Sequence, residues 1–468
     1  MSTYHFRSPL LWKRHSVHIR SLFHDIYIIQ GDKSIVSLFS KNALSSGPVN
    51  RTLMVNVFGL PKTAAETYSK DDSGEHRRPI PGSKVPDHNR VAFLTSTSRH
   101  RFFLGRGYYS LLRRLHFSTI KRLSSLDVGC TWSAVPDLFD IFRIHLTAAS
   151  IDSFTGPTLM ERNPSFANDI SAIKENLLPL MLGLPRFLML GAYQARDRAL
   201  EAVLDWHAWA RQNSKPESVD ADENEHFWGC DSFREKQTTL LEMDGFDDPR
   251  ALASEDLFFL WSAQGNSIGT AFWLTLQTFR DPEILQAVRD EVGPCVKPGP
   301  DEPLMFNVDR LMCQPLLQAM FAEVLRLRTH GYWTIPKHSL CVASSTTAAM
   351  DPQFWCAGDR AGHPPVHEFF PGRFLKTNRQ SKGKFFNLSG LHGHSFPFGG
   401  EPFTCPGRVY AKHENLVALA TMVTMYDCEV LAWDEALVLK TRSIPGGTAD
   451  PSGKVPVRLR RRKYPLGG

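Results

Sequence analysis

The residues best suited to chemistry lie near the C-terminus, where Phe396 to Arg408 reads FPFGGEPFTCPGR. One cysteine, Cys405, stands there among glycines and prolines. A buried cysteine ordinarily packs as a small hydrophobe. Glycines on both sides instead allow a sharp bend and a close approach to a flat group. A thiolate presented this way is the soft, strongly donating ligand that an iron porphyrin takes when dioxygen is to be cleaved. Backbone N–H groups aimed at the sulfur would tune it. Gly399 and Gly400 permit the bend, and Gly407 lets the next helix start close to such a ring. A buried cysteine in a glycine-rich turn satisfies the same local pattern.

Three further groups carry chemistry. Glu323-Val-Leu-Arg326 places an acid and a base on one face of a helix. A surface ion pair has this spacing too, but the apolar neighbours Phe321, Leu325 and Leu327 imply a half-buried face. Pro371-Gly-Arg373-Phe374 offers a second arginine that can join the pair. Such a buried network costs desolvation and serves loop geometry better than raw stability. Ala263-Gln-Gly-Asn266-Ser267 puts three poor helix formers in the middle of a long apolar helix. Their side chains compete for backbone hydrogen bonds and can open the ladder, as happens at functional sites. A polar packing seam would use the same residues.

The elements that must hold these groups are mostly helices. Residues 25–39 read as a strand, a Gly-Asp turn and a helix, and 61–90 as a polar loop. From 105 to about 211 the pattern is helical, with breaks at Gly156-Pro157 and Pro185, and 213–226 form a charged loop. Ser254 caps a long helix to Arg280, with Glu255 and Asp256 in its first turn. Helices follow from Pro282 and over 315–328. Strand-like pieces cover 331–349, loops 350–400, and a last helix about 406–426. The fold class is mainly α with small β-sheets: one domain over 1–468, with a poorly defined start at 1–24 and a terminal strand and tail at 456–468.

Composition narrows the function classes. Lys plus Arg total 54 against 48 acids, an excess too mild for a nucleic-acid binder. The one dense basic run, Arg458 to Lys463, reads as a solvated strand. The eight cysteines lack CxxC pairs and disulfide-scaffold spacing, which fits a reducing compartment. No run is long enough to span a bilayer; Leu177 to Leu190, interrupted by Pro179, Pro185 and Arg186, suits a core or a peripheral membrane contact.

The order of these groups resembles the cytochrome P-450 family of haem-thiolate monooxygenases. A polar-centred helix is followed by ExxR, then PxRF, then Phe398-Gly399…Cys405-Pro-Gly407 and a closing helix. DPEILQAVRDEV (281–292) and AKHE (411–414) also look like the family. The resemblance implies haem held by Cys405, with Phe398, Gly399 and Gly407 shaping its loop and Glu323, Arg326 and Arg373 locking it. It also implies a distal helix where Asn266 and Ser267 meet oxygen and substrate, a lipophilic small-molecule substrate, and an NADPH-dependent reductase as partner. Arg408 and Lys412 are cations that could face the reductase, although a solvated helix face explains them equally well.

The chain departs from the family pattern at four places. Glu401 and Phe403 stand where the haem loop usually has glycine and a basic residue; Arg113, in Tyr109-x-x-x-Arg113, is a loose candidate for the missing haem-propionate partner. Asn266 and Ser267 replace the usual acid and Thr. With Trp261 and Phe272-Trp273, this looks like the branch of sterol 7-alpha-hydroxylases and prostacyclin synthase. Oxygenation of a sterol, terpenoid or other secondary metabolite is therefore expected. The alternatives are a peroxide isomerase or dehydratase and a haem-binding protein without turnover. Location at the endoplasmic reticulum membrane follows from the resemblance, but the chain as written carries no anchor.

Overall fold

The computed structural model describes residues 17–20, 25–40, 47–105, 107–215, 217, 228–230, 232–297, 304–330, 339–378, 380, 383–400, 404–431 and 447–462. The chain forms two compact units. The smaller is Met1–Ser46, Gln318–Cys405 and Pro445–Thr448; the larger is Gly47–Leu317, Pro406–Ile444 and Ala449–Gly468.

In the smaller unit the chain enters as the antiparallel strands Val17–Arg20 and Asp25–Ile29. The second pairs in parallel with Ser339–Ala343, setting Tyr27 opposite Cys341. Helix Asp32–Phe39 follows a turn at Gly31, whose φ of 87° suits glycine. Nearly all of helix Pro315–Arg328 belongs here, and Thr329–His330 continues it into a short ladder with Gly447–Thr448.

The larger unit is helical. Helix Gly107–Ser124 packs on Thr147–Thr155 and on Arg408–Met425, which in turn packs on Ser267–Arg280. Small residues permit the close approach: Ala148, Ala149, Gly269, Ala271, Ala418 and Ala420 are all buried. From Glu414 to Thr424 every residue of the last helix is buried, the mark of a helix surrounded by protein. Strand Val457–Arg461 lies between Tyr426–Val430 and Ser133–Val135. Val457 and Leu459 face inward, whereas Arg458 and Arg460 face outward, where Arg458 meets Glu429 and Arg460 meets Asp427. The dense basic run is thus a period-2 strand whose outward cations are paired.

Several expectations change, among them Ser345–Ala349, a helix where strand-like pieces were expected, and Pro352–Trp355, a helix where loops were. Residues 61–90 are not all loop: Lys62–Lys70 is a helix, because Ala64, Ala65 and Thr67 are buried against the unit. The long helix starts at Pro249, not Ser254. Asp248 accepts from the Arg250 N–H and Pro249 occupies the first turn, a stronger start signal. Ser254, Glu255 and Asp256 are interior and buried. Asp256 lies 2.9 Å from both Lys236 Nζ and His207 Nε2, and Glu255 accepts from Tyr68. Those acids answer distant partners rather than the helix dipole. The 331–338 segment, most of 213–226 and most of 1–24 lie outside the described residues.

Candidate functional site

Glu323 and Arg326 lie one turn apart on helix Pro315–Arg328, where Phe321, Val324 and Leu327 are buried as well. Arg326 donates from Nε to Glu323 Oε2 at 2.6 Å and from Nη2 to Oε1 at 2.8 Å. Arg373, at the turn Pro371–Phe374, donates from Nε to the same Oε1 at 3.3 Å, and the Phe370 N–H adds a bond of 3.0 Å. None of the three side chains is exposed. The outer guanidinium edges bind carbonyls: Arg326 reaches Ala349 and Val366 at 2.7 and 2.8 Å, and Arg373 reaches Pro364, Pro365 and Trp355 at 2.6, 2.9 and 3.2 Å. One carboxylate between two guanidiniums therefore pins a loop that has little secondary structure of its own.

The cysteine loop belongs to the same unit. The Cys405 N–H donates to the Phe398 carbonyl at 2.8 Å, and the Gly399 N–H to that of Phe396 at 3.0 Å. Gly399 has φ of 82°, which strains any side-chain-bearing residue. A Cβ on Gly400 would lie 2.5 Å from the Phe39 ring, so only glycine fits. The Phe398 ring meets Phe321, 6.3 Å between centroids, which ties the loop to the Glu323 helix. Cys405 itself is exposed and in no disulfide. Gly407 caps helix Arg408–Met425 with an ordinary φ of −79°, so its conformation does not demand glycine. Residues 401–403, with Glu401 and Phe403, lie outside the described residues.

In the larger unit the long helix is interrupted, as its sequence suggested. It runs Pro249–Gln264, opens at Gly265-Asn266 and resumes as Ser267–Arg280. The Thr270 N–H reaches the Asn266 carbonyl at only 3.4 Å, while its hydroxyl bonds the same oxygen at 3.0 Å; side chain competes with ladder. The Asn266 side chain is exposed and caps nothing, whereas Ser267 is buried. Asn415 Nδ2 donates to Ser267 Oγ at 2.7 Å. Beside it lie Glu414, fully buried, and Tyr410, whose hydroxyl is 2.7 Å from Ser150 Oγ and 3.1 Å from Ser153 Oγ. Sequence reading found Ser267 but not Asn415, Tyr410 or Ser150. The acid ending AKHE was the only visible signal of this cluster.

The remaining sequence candidates are dispersed. Arg113 is exposed on helix Gly107–Ser124. Of the two cations proposed for the closing helix, Arg408 is exposed, but Lys412 Nζ donates to the Met312 carbonyl at 3.1 Å and burial pulls its pKa down.

The Glu323 cluster generates the first prediction. Glu323→Ala leaves two buried guanidiniums facing each other and should cost about 3–5 kcal/mol in urea unfolding, with most of the haem-loading capacity lost. Normal stability and loading in that variant would show the cluster to be dispensable.

The cytochrome P450 family model matches residues 160–442. Among known proteins, the cytochrome P450 monooxygenase efuG of Hormonema carpetanum is 29% identical over 93% of this chain and 82% of its own length. The cytochrome P450 monooxygenase fsoE of Humicola fuscoatra is 30% identical over 93% and 80%. The 7-alpha-hydroxycholest-4-en-3-one 12-alpha-hydroxylase of Homo sapiens is 30% identical over 46% of each chain. A mainly helical fold with small sheets, the buried ExxR cluster and these matches agree: the chain belongs to the cytochrome P-450 family of haem-thiolate monooxygenases.

Proposed function

We propose that this enzyme inserts one oxygen atom from dioxygen into a lipophilic small molecule of the sterol or terpenoid class, with electrons from an NADPH-dependent reductase, and that Cys405 is the axial ligand of its haem. The supporting observation is the Cys405 loop: an exposed cysteine held by a backbone bond to Phe398, bent at Gly399 and braced through Phe321 on the Glu323 helix. These residues fit the group, because a cysteine thiolate on a bent, glycine-flanked loop is the donor that haem iron takes in oxygen cleavage. When bound, haem supplies the dioxygen-activating chemistry. Both units together would constitute one catalytic domain over 1–468.

The chain's own residues take the remaining roles. Glu323, Arg326 and Arg373 keep the loop's geometry, and Phe398, Gly399 and Gly407 shape it. Ser267 holds a hydroxyl at the helix opening, and the Asn415 carboxamide fixes its lone pair, so its proton points away from Asn415. Asn266 offers a carboxamide that orients a water but cannot relay a proton as a carboxylate does. Arg113 remains a candidate propionate partner. The Asn266 carboxamide is also the specific feature favouring the second reading, a peroxide isomerase, which needs neither reductase nor delivered protons.

The connection after helix Leu177–Met181 exposes Leu182, Phe187, Leu188 and Leu190 at 67%, 81%, 61% and 52%. Such an apolar patch suits contact with a lipid surface, where its lipophilic substrate would partition and where the endoplasmic reticulum would present both. Among the described residues, no helix is long and apolar enough to cross a membrane.

Three outcomes test this reading. Cys405→Ser should lose the red-shifted Soret band of the reduced carbon monoxide complex; its persistence would assign the ligand elsewhere. Ser267→Ala should lower product per NADPH at least about tenfold and raise peroxide release, given the roughly 10²–10⁴-fold that positioned proton transfer supplies. Product at full rate without reductase or NADPH, unchanged in Ser267→Ala, would establish the isomerase instead. Replacing Phe187 and Leu188 together by Ser should weaken sedimentation with phosphatidylcholine vesicles several-fold without altering haem content; equal sedimentation would remove the membrane role of this patch.

A further inference from the structure

A cleft beside the helix opening is walled by polar groups that the protein itself leaves without partners. It lies within the larger unit, among helix Phe166–Glu175, the segment Phe142–Leu146 and both halves of the interrupted helix, and its empty volume is about 400 Å³ counted to its open mouth. Phe139, Ile170 and Ile268 give it apolar walls. Its charges cancel in pairs: Lys174 Nζ lies 2.7 Å from Asp450 Oδ1, and Arg143 Nε donates to Asp140 Oδ1 at 2.8 Å. Glu175, which also lines it, is exposed to water. The cleft is therefore fitted to a neutral group rather than to an ion. Two wall residues stand out. Gln264 is 2% exposed, and among the described residues neither its Oε1 nor its Nε2 has a hydrogen-bond partner. The Trp261 Nε1–H, one turn earlier on the same helix face, is buried and has none either. Folding ordinarily pairs such groups, because each costs its desolvation when left alone. The buried indoles of Trp273 and Trp355 show the usual solution, donating to the carbonyls of Ala449 and Ala348 at 2.7 and 3.0 Å.

We propose that this cleft binds the hydroxyl group of an already oxygenated lipophilic substrate, with Gln264 and Trp261 as the groups that select it. The inference rests on the proposed substrate class and on the helix opening as the place where oxygen and substrate meet, since Gly265 of that opening lines the same cleft. A hydroxyl answers the wall by count: it accepts from the Trp261 indole, donates to Gln264 Oε1 and has a second lone pair for Gln264 Nε2. The terminal torsion of the Gln264 side chain is soft, so both amide atoms can turn toward a ligand. A ketone accepts from the two N–H groups but leaves Oε1 unpaired. A hydrocarbon leaves all three atoms unpaired, and a carboxylate meets only cations that already have acids. The order of preference is therefore alcohol, ketone, hydrocarbon. The reaction that supplies this substrate is one that installs a hydroxyl on the sterol or terpenoid skeleton.

The test uses the haem-loaded enzyme and three sterol probes, cholesterol, cholestenone and cholestene, which carry a hydroxyl, a ketone and neither. Farnesol and farnesene repeat the comparison for a terpenoid. Optical titration of the wild type should give the tightest binding for the alcohol, at least about tenfold over the hydrocarbon, with the ketone between them. Gln264→Leu should weaken the alcohol and strengthen the hydrocarbon until the two agree within about twofold, and Trp261→Phe, which removes only the N–H, should lose part of the preference. Without any probe, Gln264→Leu should melt a few degrees higher than the wild type, because it removes a buried amide that the free protein leaves unpaired. A lower melting point would show the amide to be paired within the fold and would overturn the proposal. Equal binding of alcohol and hydrocarbon by the wild type leaves the cleft to water only, and a preference that survives in Gln264→Leu places hydroxyl recognition elsewhere. Either result overturns the proposal while the oxygenase reading stands. If no probe of either class shifts the haem band, the reading of the substrate class fails and takes this inference with it.

Discussion

Two guanidiniums share one carboxylate inside the smaller unit, and the geometry of its loops follows from that contact. Glu323 has no water to solvate it, so its charge is tolerable only while Arg326 and Arg373 are both in place. The arginines in turn have more donors than one carboxylate can accept. The surplus N–H groups bind the carbonyls of Ala349, Trp355, Pro364, Pro365 and Val366, backbone that no helix or sheet satisfies. The same helix carries Phe321, which packs on Phe398 of the cysteine loop. A loop rich in glycine and proline cannot hold a sulfur in one place by itself; here it is braced by Phe398 on Phe321 of the ion-cluster helix and by Phe396 on Phe39.

The larger unit solves a different problem. Its central helix is largely buried and yet carries polar residues halfway along. Gly265 and Asn266 weaken the ladder at that point, and the Thr270 hydroxyl takes over the carbonyl that the backbone N–H reaches only loosely. The polar groups so introduced face a neighbouring helix that is buried all round. That helix supplies Asn415, Tyr410 and Glu414, which with Ser150 and Ser153 form a pocket of hydroxyls and one uncharged acid. Burial penalises the charged form of that acid and pushes its pKa up to about 8.

Charge on the rest of the surface is mostly spent locally. The arginines of strand Val457–Arg461 pair with Glu429 and Asp427 across the ladder, and Lys412 is tied to a helix-end carbonyl. The apolar side chains between Leu182 and Leu190 are a different kind of surface, with large hydrophobic area left in water. A lipophilic substrate and an apolar surface patch belong together physically, since both favour a lipid phase.

The sequence by itself determined whatever depends on neighbours within a turn or two. Apolar periodicity marked helices Leu190–Asn213, Pro282–Val292, Pro315–Arg328 and Arg408–Met425; Gly-Asn-Ser marked the helix opening; the spacing of Glu323 and Arg326 marked their shared face. The glycine-bounded Cys405 was legible for the same reason, since the positive φ of Gly399 is a local demand, whereas the close approach of Gly400 to Phe39 is not. Local rules failed where the deciding partner was distant in sequence. Glu255 and Asp256 looked like first-turn acids, but Tyr68, His207 and Lys236 claim them inside the unit, and the helix begins instead at Asp248-Pro249. Helix Lys62–Lys70 exists because its alanines find a buried surface, which a polar and glycine-rich neighbourhood hid. That Ser267 bonds Asn415, and that Glu414 loses its water and keeps its proton beside them, was decided only when two helices 148 residues apart in sequence packed together, because desolvation belongs to the assembled interior and to no stretch of chain alone.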